Sequence, residues 1–350
     1  MQPAIESLQT LSDLFNQVDG HYRIFDIGCR LKKLSTTEFS AFENSQKPYP
    51  MPWLRHAWVG ILLWQNDRQE AAPTIWFLKF PLDEQGYLIQ AARDEFLNQL
   101  LETIGTNMLD QQESAAIGDK LQHSNLAFTP DQERMAAFNA CARRVLKQPA
   151  SAYYSAVRDY ILSGKPSDEW QQLGVQGFAD LVQRLEDDDS LVTAVSMAVA
   201  TLPNPVLVNL AIQCENVILP YQLSQALLQR GQQTDDAGER IACLRGVSQG
   251  PNSKERQTWL LQILSGSEAT DVELLAVVVS KCQADLAEDG VLSAFLEACA
   301  PDQGVFNALV GELMYQQDLR RAILNLLRSP QRSDRLAQAF GELLQAQTNA

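Results

Sequence analysis

The chain has 350 residues, with 28 basic and 43 acidic side chains, a formal net charge of -15 and 45% hydrophobic residues. That hydrophobic fraction is enough for a substantial core and excludes disorder over the whole chain, and the length fits two domains or one domain with a repeat array. The acid excess argues against a general nucleic-acid binder, which needs a net basic surface to meet phosphates.

The first segment, Met1 to Phe15, carries Glu6 and Asp13 and has neither the basic start nor the unbroken apolar core of a secretion signal. A helix is expected over Ala4–Val18, from Ile5, Leu8, Leu11, Phe15 and Val18 at helical spacing. Three strand-like runs follow, Tyr22–Ile27, Trp58–Trp64 and Thr74–Phe80, with a possible short strand at Tyr87–Ile89. They read as an antiparallel meander. Trp58–Trp64 is apolar except at Gly60, which predicts cover on both faces of that strand. Ser35 with Glu38 is a capping box that starts a helix, and Gln90–Ile104 has a further helical pattern. Residues 1–105 therefore read as a small α+β domain.

Residues 106–128 are weakly periodic and rich in Gln, Ser, Asn and Gly, and read as a linker. From there on, over 129–350, the strand pattern gives way to helices. Thr129-Pro130, followed by Asp131 and Glu133, marks the first start. Starts then recur at Pro205, Ala237, Asp271, Gln303 and Ser333, spaced 32, 34, 32 and 30 residues, with two apolar helical patterns per interval. Thr270 with Glu273 is a further capping box. A period near 33 with two helices per unit predicts a HEAT-like α-solenoid, with an irregular helical bundle as the rival. Leu274, Leu275, Val278, Leu309, Leu313, Ile323 and Leu327 should face inward.

The run Tyr22-Arg23-Ile24-Phe25-Asp26-Ile27-Gly28, the tryptophan-rich stretch from Pro52-Trp53-Leu54 to Trp64, and Trp76-Phe77-Leu78-Lys79-Phe80-Pro81 together resemble an uncharacterised bacterial family of conserved proteins of unknown function. The resemblance implies a bacterial cytoplasmic protein. It brings no activity and no catalytic residue.

Candidate chemistry is sparse. Cys29 in Asp26-Ile27-Gly28-Cys29-Arg30 has cations nearby that can activate a thiol, and His21 or His56 would have to serve as base. A strand ending in an Asp-x-Gly turn explains the same residues more simply. Glu186-Asp187-Asp188-Asp189-Ser190 suggests a hard-cation site but lacks the spaced ligands of an EF-hand, so a helix cap is favoured. Pro48 to Trp53 alternates proline with large side chains, as a polyproline ligand does, and reads more simply as a stiff loop. The six cysteines form no C-x-x-C pair and are expected reduced and buried. No cofactor, phosphate-loop or metal motif occurs, and no catalytic residue is assigned.

Charge is uneven. Residues 1–166 hold 16 basic and 19 acidic side chains, whereas residues 167–350 hold 12 and 24. Against that second background, Arg320, Arg321, Arg328, Arg332 and Arg335 stand out; Arg321, Arg328, Arg332 and Arg335 are the candidate partner-binding residues. The resulting expectation is a non-enzymatic interaction or scaffold protein of the cytoplasm that binds another protein through its helical array, with no membrane association. The alternatives are an enzyme with its site around Asp26, Cys29 or His56, and an RNA-associated factor using the arginines.

Overall fold

The computed structural model of the chain describes residues 9–17, 20–65, 73–107, 124–163, 168–330 and 332–348. The chain divides into two compact units, Met1–Pro130 and Asp131–Ala350.

In the first unit α1 (Leu11–Gln17), α2 (Thr36–Glu43) and α3 (Gln90–Asn107) pack with four strands, β1 (His21–Asp26), β2 (Lys32–Leu34), β3 (His56–Trp64) and β4 (Thr74–Pro81). The sheet is antiparallel in the order β2-β1-β3-β4. The sequence had predicted three strands in a meander. The fourth, β2, is three residues long, too short for any alternation to show, and it forces the chain to return through α2 to the far side of β1. Tyr87–Ile89 makes only an isolated bridge, Leu88 to Leu82, that closes the turn after β4. The part of the first predicted helix before residue 9, together with Val18, lies outside the described residues.

Register explains the core. Ile24, Ile61 and Trp76 are aligned across β1, β3 and β4. On this face Ile24, Val59, Ile61 and Phe80 meet Leu11 and Phe15 of α1, Phe39 and Phe42 of α2, and Phe96 and Leu100 of α3. The other face of β3 buries Gly60 and Leu62, so both faces are covered. Ser35 makes the predicted capping box. Its Oγ accepts from Glu38 N at 3.1 Å, and the Glu38 carboxylate accepts from Ser35 N at 3.1 Å.

The outer edge of β4 is not bare. Lys79 N donates to Leu126 O (2.8 Å) and Phe128 N to Phe77 O (3.1 Å). The Phe128 ring stands edge-on to Trp58, 4.7 Å between centroids. Residues 126–128, read from sequence as the end of the linker, are thus part of the first unit. At its start, residues 106 and 107 belong to α3, and residues 108–123 lie outside the described residues.

The second unit contains α4 (Gln132–Val145), α5 (Tyr154–Ser163), α6 (Val175–Val182), α7 (Asp189–Ala198), α8 (Asn204–Cys214), α9 (Tyr221–Gln233), α10 (Ala237–Val247), α11 (Ser253–Leu264), α12 (Val272–Lys281), α13 (Asp289–Cys299), α14 (Gln303–Leu313), α15 (Gln317–Arg328) and α16 (Asp334–Thr348). Next-but-one helices pack together. One row runs α4-α6-α8-α10-α12-α14-α16; the other holds α5-α7-α9 and α11-α13-α15. The recurring starts in the sequence are the starts of α8, α10, α12, α14 and α16, five neighbours in the first row. Asp236, Asp271 and Asp302 cap α10, α12 and α14 by the same bond to a backbone N–H three residues on.

Two predicted caps shift. The α12 cap is Asp271 rather than Thr270, and the α4 cap is Asp131 rather than Thr129. In each case a carboxylate close behind outcompetes the hydroxyl, since its charge also meets the positive helix end. Leu274, Leu275, Val278, Leu313, Ile323 and Leu327 are buried as predicted, but Leu309 is half-buried, because Phe306 and Val310 take the inward positions of α14.

Candidate functional site

The helical rows leave concavities between helices. One of about 470 Å³ lies between α7 and α9, and smaller ones of about 280 Å³ and 150 Å³ lie beside α11 and between α13 and α15. The first is built as follows. Asp188 caps α7, accepting from Ser190 N (3.0 Å) and Leu191 N (3.1 Å). The next turns of α7 place Ser196 and Met197 on the groove wall. Gly231 lets α9 pack close to Trp259 of α11, whose ring would lie 2.5 Å from a Cβ there. That seats α9 so that Ala226, Gln229, Arg230 and Gln233 form the opposite wall.

The formal charges of this groove are satisfied within the chain. Arg230 Nε donates to Glu239 (2.5 Å), Nη2 to the same carboxylate (3.2 Å) and Nη1 to Ala200 O (2.7 Å). The second groove repeats the pattern with Arg240 paired to Glu268 and donating to Thr234 O (2.9 Å). Met197 is 74% exposed. The side chains of Gln229 and Gln233, both exposed, have no hydrogen-bond partner among the described residues. The sequence reading missed this site. Its traces were the five glutamines of α9 (YQLSQALLQRGQQ) and a methionine on the polar side of α7.

Elsewhere in this unit buried charges tie helices together. Glu215, after α8, accepts from Arg245 of α10 (2.7 Å) and Lys281 of α12 (2.7 Å), and Arg245 also meets Glu133 of α4 (3.1 Å). Burial pushes the Glu215 carboxyl up, but Lys281 and Arg245 outweigh it and hold the group below the usual carboxylate range. Arg256 and Asp285 form a second buried pair at 2.8 and 3.0 Å, and Arg256 also donates to Val247 O and Gly250 O.

The acidic run is a structural turn. Glu186 and Asp187 both pair with Arg144, and Asp188 is the cap of α7. Among the described residues no cluster of three or more histidine, cysteine or acidic side chains is placed to hold a metal ion.

In the first unit the Asp26 side chain is fully buried at the end of β1. Tyr49 donates its hydroxyl to Asp26 Oδ1 (2.8 Å), while Oδ2 has no hydrogen-bond partner. Burial pushes the Asp26 carboxyl up to about 7, against the pull of the Tyr49 hydroxyl, the Gly28 N–H and the cations Lys32 and Arg30. Burial, then the Asp26 charge, push the Tyr49 phenol well above its ordinary value. A Cβ on Gly28 would lie 3.2 Å from both the Trp53 Cβ and the Trp58 ring, so the loop at Gly28 is pressed against these side chains. Tyr49 is buried and its N–H donates to Gly86 O (2.8 Å), which makes Pro48–Trp53 a tethered loop rather than a free polyproline ligand.

Trp53 and His56 close a turn in which Leu54 and Arg55 adopt φ of 49° and 61°, a left-handed conformation that costs non-glycine residues about 1–2 kcal/mol each. Bonds from Trp58 Nε1 to Trp53 O (2.7 Å) and between His56 Nδ1 and Leu54 O (2.6 Å) hold it. His56 is therefore engaged in this turn. Cys29 is buried.

No disulfide joins any of the six cysteines; five of them are buried and Cys141 is half-buried. Burial pushes the Cys243 and Cys299 thiols up to about 12.

The predicted partner-binding arginines fall on three elements. Arg321 and Arg328 are exposed on α15, seven residues apart, hence on one face about 10 Å apart along the axis. Arg332, in the following loop, donates to Leu327 O and lines the small third groove, and Arg335 is exposed on the first turn of α16. Arg320 is half-buried and donates to Met314 O.

No described helix is long and apolar enough to cross a membrane. Residues 6–344 match the family described as a protein of unknown function, DUF3549, so the chain belongs to that family. No curated protein and no solved structure matches the chain.

Proposed function

We propose that the protein is a non-enzymatic interaction protein of the bacterial cytoplasm, whose HEAT-like helical array binds another protein. The observation that carries this reading is the pairing of two features in the second unit. Helices stack in two rows that leave open grooves, and the arginine and glutamate charges in the two larger grooves are already satisfied within the chain. Stacked helix pairs of this kind present extended concave surfaces suited to protein partners. Such a groove has shape and hydrogen-bonding groups to offer, and no activated acid, base or nucleophile.

The test is photo-crosslinking of the full chain in its native cell, with a benzophenone side chain placed at Met197, at Gln262 or, as contrast, at Lys33 on β2. Covalent partner adducts from the two array positions and none from Lys33 are expected. Adducts from Lys33 alone would overturn the reading.

Catalysis in the first unit has one observation in its favour, a carboxyl poised near neutrality beside a phenol. Against it, Asp26 is 0% exposed, and a general acid has to reach the atom it protonates.

A further inference from the structure

We propose that the groove between α7 and α9 binds an uncharged peptide segment in extended conformation, held by Gln229 and Gln233 through its backbone; this rests on the interaction reading above and names the ligand class.

The argument begins with what the groove has left to offer. Arg230 gives three of its five donors to Glu239 and the Ala200 carbonyl and is matched in charge by Glu239, so a charged ligand meets no unmatched counter-ion there. The groups left over are carboxamides. Gln229 and Gln233 are exposed, without internal partners, and each carries both donors and an acceptor. A peptide group also presents one donor and one acceptor, so a carboxamide pairs with it in both directions.

Spacing supports the match. Four residues along a helix advance about 6 Å. Alternate residues of an extended chain, which point the same way, repeat at about 6.6–6.8 Å. Two carboxamides four apart on α9 therefore meet the backbone of residues i and i+2 of a strand lying along the groove. From Ala226 to Thr234 the α9 wall runs about 12 Å, room for about four extended residues.

The facing wall supplies the apolar contact. Met197 projects from α7 at 74% exposure, and a thioether adapts to side chains of varied shape. The small side chains of Ala200 and Ala226 leave the groove deep enough for a main chain to approach. Neutral residues flanking an apolar one are thus the sequence class that fits.

The experiment selects phage-displayed random 12-residue peptides on the full chain, then measures synthetic versions of the enriched clones by fluorescence anisotropy. The comparison protein carries Gln229→Ala with Gln233→Ala, two exposed positions where alanine favours the helix, so its fold is retained and is checked by its melting temperature. Uncharged sequences are expected. Their affinity should drop about tenfold in the double variant, the effect of two lost hydrogen bonds, and change less than about twofold between 0.05 and 0.5 M NaCl. Enriched peptides that bind the double variant equally well, or whose affinity falls steeply with salt, would overturn this site while leaving the interaction reading in place. Absence of any enriched peptide also overturns it, and the crosslinking result then decides the interaction reading separately.

Discussion

Asp26 in the first unit and Glu215 and Asp285 in the second are buried acids treated in opposite ways. In the first, Asp26 lies beneath the 27–31 loop with a phenol as its side-chain hydrogen-bond partner and one oxygen unpaired. In the second, Glu215 and Asp285 are each matched by cations that reach in from neighbouring helices. A matched acid links helices whose starts lie far apart in sequence, so it serves register along the array. An unmatched acid links nothing that a neutral asparagine would not. The price of keeping it is stability at neutral and alkaline pH.

Four experiments would break or sharpen that contrast, the largest effect first. Leu313→Asp places a charge where a fully buried leucine closes α14 onto its neighbours. It should cost on the order of 5 kcal/mol, combining a lost core side chain with an unpaired buried charge. Urea denaturation followed by circular dichroism measures it, and a midpoint near wild type would show α14 to be packed differently.

Arg256→Ala strips Asp285 of its ion pair in the core and should cost about 3–5 kcal/mol. Replacing both partners by apolar residues, Arg256→Met with Asp285→Leu, should recover most of that loss. If the double replacement is as damaging as the single one, the pair does more than match charge.

The pH responses should run in opposite directions. The folded Asp26 pKa, about 7, lies above the unfolded value of about 3.9, so the folded state holds the proton more tightly. Its contribution is fully present below pH about 3.9 and is lost as pH rises through 7, by up to about 4 kcal/mol. Glu215 is held below its ordinary value, so its contribution is present above the unfolded pKa and is lost as pH falls through the folded one. Hydrogen exchange by mass spectrometry, read separately for β1 and for α8 to α12, should show the sheet loosening from pH 5 to 8 and the helices loosening in acid. Asp26→Asn should flatten the first trend and stabilise the protein at pH 8; an unchanged slope would remove Asp26 as its source.

The smallest expected change in stability comes from Arg321→Glu with Arg328→Glu. Both side chains are exposed, so unfolding should move by less than about 0.5 kcal/mol. Partner recovery is the informative readout. A clear loss would add an acidic-partner contact on α15, and an equal yield would leave these arginines as a solvated face.

Periodic signals carried most of the fold. The 30–34-residue spacing of helix starts is visible because each of α8, α10, α12, α14 and α16 must turn an apolar stripe toward the other row. Strands β1, β3 and β4 announced themselves through aromatic and β-branched runs. What escaped is short or non-local. β2 owes its existence to the neighbouring edge of β1, and residues 126–128 owe theirs to β4. The candidate groove left a fainter mark. Gln229 and Gln233 look like ordinary solvated helix residues until α7 is set opposite them, and that pairing depends on Gly231 accepting the Trp259 ring. Asp26 was visible as part of a cluster, but its full burial and its one unpaired oxygen are properties of the fold.

The strip at Leu126–Phe128 has a practical consequence for dissecting the molecule. A first unit cut at residue 105, where the helical pattern ends, would shed the backbone that occupies β4 and the ring that shields Trp58. The Phe77 carbonyl and the Lys79 amide, on a strand that is apolar from Ile75 to Leu78, would then be offered unpaired to any extended chain nearby. Such rims recruit copies of themselves, so the shortened fragment is expected to form intermolecular sheets and precipitate. A fragment ending at Pro130 keeps these two bonds and is the one suited to study in isolation.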